Sequence, residues 1–85
     1  MPVVFEQDIH FAAADNTAVI WGDDEKGRRF RLTVSRRALT DRYGYKGAHY
    51  DNRAAEAVIR ERWTDIEKLA RQAHAAGEMG LDIQT

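Results

Sequence analysis

From Arg29 to Val34 the chain alternates, with apolar Phe30, Leu32 and Val34 set between polar Arg29, Arg31 and Thr33. A period of two places the two sets on opposite faces of a strand, so the stretch predicts a half-buried strand. The preceding "AVIW", residues 18–21, is its expected partner. Between them "DEKG" suits a type I turn with Gly27 in the left-handed conformation, closed by Asp24 opposite Arg28. In that register Asp23 faces Arg29, Trp21 faces Arg31 and Ile20 faces Leu32. A slip by one residue would turn Trp21 into the core, so the exposure of Trp21 tests the register. Nearer the start, Val3 to Phe5 and the alternation of Ile9, Phe11 and Ala13 predict further strand, ended by Asp15 and Asn16.

The pattern then changes period. Ser35 reads as the N-cap of a short helix, "RRALTDRY", stopped by Gly44. Asp51 or Asn52 opens a long helix that runs from Arg53 to Ala76 and ends at Gly77. Its apolar positions Ala55, Ile59, Trp63, Ile66, Ala70 and Ala73 recur at three and four, and Glu56 with Arg60 and Glu67 with Arg71 pair four apart. Val58 and Leu69 widen the apolar arc to roughly 140°, against about 100° for a helix lying on one core. That excess is either extra cover for the sheet or a self-association surface, with Val58, Arg62 and Leu69 as its candidate residues. Leu81 and Ile83 predict a closing strand. The expected fold is α+β: a small antiparallel sheet of three to four strands, a short helix, and one long helix packed on one sheet face.

Composition bounds this picture. The 85 residues, 1–85, form a single domain without repeat or linker. A chain of this length buries only about 60 to 65% of its open surface, so a partner subunit would help. Without cysteine, neither disulfides nor a thiolate metal cage can staple the fold. No standard signal peptide and no continuous apolar span is legible, so a cytoplasmic, bacterial-type protein with no membrane association is expected. The net charge of -1 is unevenly spread: residues 1–27 carry -5, residues 28–53 carry +6 and residues 54–85 carry -2.

The stretch "AVIWGDDEKGRRFRLTVSRRAL", the later "RWTDIEKLARQAHAAG" and the closing "GLDI" resemble a family of small bacterial proteins known as domain of unknown function fourteen eighty-eight. The resemblance covers residues 18–83, most specifically at Trp21, Gly22 and Asp24, at Ala38 and Leu39, and from Ile66 through Ala70 to Gly77. It departs from the family pattern at Arg62 and Trp63, where an Asn-Arg pair is expected. What it implies is the fold; the family carries no established activity.

Candidate chemistry is sparse. His10, His49 and His74 lack metal-ligand spacing, a glycine-rich phosphate loop and a nucleophile elbow, so an enzyme, such as a small metal-dependent hydrolase, is the weakest reading, and no cofactor is expected. His10 should face solvent between Ile9 and Phe11, and His74 sits at the edge of the apolar stripe. An anion or nucleic-acid site is the better rival, centred on Ser35, Arg36, Arg37, Lys46 and Arg53 in the basic segment 28–53. Against it stand Asp23, Asp24 and Glu25, which would neutralise Arg28, Arg29 and Arg31 across the hairpin ladder. The tyrosine-rich "DRYGYKGAHYDNR", residues 41–53, reads as a connector turned by Gly44 and Gly47. The leading expectation is a non-enzymatic interaction or regulatory module that forms a homodimer or meets another protein partner.

Overall fold

The computed structural model describes residues 3–12, 16–45 and 51–84. Ala13 and Asp15 of the first predicted strand, and Lys46, Gly47 and His49 of the connector, lie outside them. The strands are β1 (Val4–Phe5), β2 (His10–Phe11), β3 (Ala18–Asp23), β4 (Arg29–Val34) and β5 (Gly80–Ile83). Between β4 and β5 come α1 (Arg36–Asp41), α2 (Asn52–Glu61) and α3 (Trp63–Ala75). The fold is α+β: a five-stranded sheet in the order β1-β3-β4-β5, with β2 also on β3, covered on one face by helices. Among the described residues no helix is long and apolar enough to cross a membrane.

The central hairpin forms in the expected register, pairing Ile20 with Leu32, Trp21 with Arg31 and Asp23 with Arg29. Its loop closes through Asp24 N–H to the Arg28 carbonyl at 2.9 Å and Gly27 N–H to the Asp24 carbonyl at 3.0 Å. Gly27 has φ +77°, where a Cβ would be strained. Ala18, Ile20, Phe30, Leu32 and Val34 are buried on the helix side, whereas Trp21 stays half-exposed on the other face. Gly22 lies opposite Phe30, and its missing side chain lets Val3 and Phe5 close over the sheet.

Two details differ from the expected arrangement. The sheet is mixed, because β5 pairs with β4 in parallel, Leu32 beside Leu81 and Val34 beside Ile83. A parallel neighbour needs a crossover, and α1, α2 and α3 together form it. The segment expected as one helix is divided at Arg62, whose φ of -99° and ψ of 15° leave helical values. Each part buries its own pair, Ala55 with Ile59 and Ile66 with Ala70. Trp63, at the start of the second part, meets the Phe5 ring edge-on with centroids 5.3 Å apart. Gly77, with φ +91°, ends α3: its N–H reaches the His74 carbonyl and the Glu78 N–H the Ala73 carbonyl, both at 3.0 Å.

Candidate functional site

Among the described residues, two regions that begin at the hairpin concentrate polar chemistry. The first is Asp24, whose side chain is fully buried. Its Oδ1 accepts the backbone N–H groups of Lys26 at 2.9 Å and Arg28 at 2.8 Å, and its Oδ2 accepts Arg28 Nε at 2.9 Å. His74 Nε2, in the last turn of α3, lies 3.4 Å from the same Oδ2, and its ring meets Phe30 edge-on at 6.0 Å. Burial alone would raise the Asp24 carboxyl, but the hydrogen bonds from Arg28, Lys26 and His74 outweigh it and leave it lowered to about 2. The group therefore clamps the turn to the helix layer. The sequence supports the partnership with Arg28; the one with His74, 50 residues away, has no local signature.

The second region is the sheet face that none of the described helices covers. Strand alternation places Val19, Trp21 and Asp23 of β3 there, with Arg29 and Arg31 of β4, His10 of β2 and Val4 of β1 beside them. Arg29 reaches Glu6 at 2.9 Å and Asp23 at 3.4 Å while its guanidinium stands 5.0 Å from the centre of the Trp21 ring. The acidic first third and the basic middle thus do neutralise each other at Arg28 and Arg29. Arg31 behaves differently: among the described residues no carboxylate pairs with it. It lines a cleft of about 680 Å³ with Arg37, Thr33, Ser35 and Asp82, where Asp82 accepts the Thr33 hydroxyl.

The residues singled out for anion binding are dispersed in role. The Ser35 hydroxyl is occupied, accepting the Ala38 N–H at 3.0 Å and donating to the Gln84 carbonyl at 3.0 Å. Arg37 pairs with Asp41 at 3.3 Å; Arg36 is exposed at the start of α1 and Arg53 at the start of α2. Lys46 lies outside the described residues. Of the self-association candidates, Val58 and Leu69 are half-buried and pack on the core, while Arg62 is exposed at the helix division. His10 is exposed, as its alternation requires. Among the described residues no three histidines and carboxylates gather as metal ligands. No family model, no curated protein and no solved structure matches the chain.

Proposed function

We propose that the chain is a small cytoplasmic, bacterial-type interaction module, non-enzymatic and self-associating, that pairs with a second copy through the uncovered sheet face. The observation that carries this reading is the apolar content of that face: Val4 is 71% exposed, and half-buried Val19 and Trp21 lie on the same side. In so small a domain, apolar surface left on one sheet face is costly unless something covers it. The surrounding charges are of both signs, Glu6 and Asp23 beside Arg29 and Arg31, which suits a surface meeting its own copy. This reading moves self-association from Val58 and Leu69 to the sheet, since those two side chains already pack on the core.

Light scattering over a dilution series tests it. A mass approaching twice 9.7 kDa that falls on dilution is the expected result, and a mass of 9.7 kDa at every concentration removes the reading. The alternative, an anion or nucleic-acid binder using segment 28–53, has less support because Arg28, Arg29 and Arg37 are each engaged by carboxylates. Tight binding of random DNA at low salt that weakens steeply as salt rises would reverse that preference.

A further inference from the structure

Where the C-terminal end of α1 faces the outer flank of α3, a cleft of about 460 Å³ holds three cationic side chains, Arg42, Arg62 and Lys68, against one carboxylate, Asp65. Two of them lack the pairing that neutralises the hairpin arginines. Among the described residues neither Arg62 nor Lys68 has a carboxylate partner, and both are exposed. Arg62 is the residue at which the helices divide, so its side chain leaves from a break in the helix rather than from a regular face. Lys68 and Leu69 lie three and four residues after Asp65 along α3 and so share one side of it with Asp65.

The Tyr43 side chain forms part of the same wall. Tyr43 is a buried residue that lines the cleft, and its hydroxyl is buried with no hydrogen-bond partner. The Arg42 guanidinium stands 5.8 Å from the centre of the Tyr43 ring, which holds that cation against the same wall. The remaining wall is apolar, from Leu69.

We propose that this cleft binds a small phosphorylated molecule, its phosphate held by Arg62, Lys68 and Arg42, its body against Leu69 and the Tyr43 ring. Arg62 and Lys68, which have no carboxylate partner among the described residues, select an anionic ligand, and the volume matches a small molecule rather than a protein surface. The site shares only Arg42 and Tyr43 with the basic segment 28–53 and none of its arginines with the uncovered sheet face, so it stands whether or not the chain self-associates.

The test uses the whole chain and two-dimensional amide spectra, titrated with inorganic phosphate, adenosine monophosphate and a short single-stranded DNA. Expected are saturable shifts with the mononucleotide, centred on α3 and the end of α1, and weaker ones with inorganic phosphate. Arg62→Ala and Lys68→Ala should each weaken mononucleotide binding at least about tenfold, as loss of a charge-assisted contact implies. Both side chains are exposed, so the dispersed spectrum of the folded chain should persist in the variants. Absence of saturable shifts at millimolar phosphate and mononucleotide overturns the proposal, as do shifts that survive both cation variants. Binding to DNA that is tighter than to the mononucleotide, and that grows with strand length, overturns the small-molecule assignment in favour of nucleic acid.

Discussion

At the scale of single residues, Asp24 shows how a short polar side chain organises a fold from a turn. Its two oxygens satisfy two backbone amides, one guanidinium nitrogen and one imidazole nitrogen, and no solvent reaches it. A carboxyl whose folded pKa is depressed to about 2 stabilises the folded state above its unfolded value of about 3.9, and that contribution is lost as pH falls toward 2. Wild type and Asp24→Asn, compared by urea midpoint from pH 5 down to pH 2, should therefore differ most at the upper end and converge at the lower. A gap of constant size would show that the charge of Asp24 contributes nothing. Half of this site was legible in advance. Turn chemistry within "DEKG" places Asp24 opposite Arg28, because both belong to one local loop. His74 reaches Asp24 only because α3 returns its last turn over the hairpin, and no periodicity within the chain encodes that meeting.

At the scale of elements, local grammar succeeded where one element decides its own form. Ser35, Asp51 and Gly77 act as the caps their positions imply, with Ser35 receiving the Ala38 amide and Asp51 the Arg53 amide at 2.9 Å. Replacing Ser35 by alanine should cost about 1 kcal/mol or somewhat more, since it removes both the cap and the tie to Gln84, and chemical denaturation would measure it. The helix division was illegible for a different reason. The spacing from Ile59 through Trp63 to Ile66 is compatible with an unbroken helix, and the break at Arg62 comes just before Trp63 meets the Phe5 ring of β1, a contact from the far end of the sequence. The direction of β5 was likewise not local, because alternation of Leu81 and Ile83 is the same for a parallel or antiparallel neighbour. A test of the β1 packing is Gly22→Ala. A Cβ there would come within 2.5 Å of Val3 Cγ1 and 2.9 Å of Phe5 Cδ1, so β1 must move, at a cost of about 1 to 3 kcal/mol. An unchanged denaturation midpoint would mean that β1 is held to β3 more loosely than its contacts indicate.

For the whole molecule, the decisive asymmetry is between two faces of one sheet. The helix layer covers the face of Ile20, Phe30 and Leu32, and the opposite face is left with Val4, Val19 and Trp21 beside the paired Arg29 and, among the described residues, the unpaired Arg31. The segregation of charge along the chain is resolved in space at Arg28 and Arg29, so the sheet face offers mixed polarity rather than a cationic field. A second copy could cover the apolar positions while matching acid to base across a two-fold axis. Val4→Glu separates this association from folding. Because Val4 is 71% exposed, the change should alter the thermal midpoint little, yet it places an unpaired charge within the proposed contact. Trp21→Glu should act the same way but more strongly, since the indole is the largest apolar group on that face and the partner of Arg29. Leu69→Glu, on the far side of the sheet, should leave the oligomeric mass unchanged while lowering stability, because Leu69 packs on the core. If instead Leu69→Glu abolishes the dimer and Val4→Glu does not, the helix flank rather than the sheet face mediates association, and the exposed apolar residues of the sheet are ordinary surface.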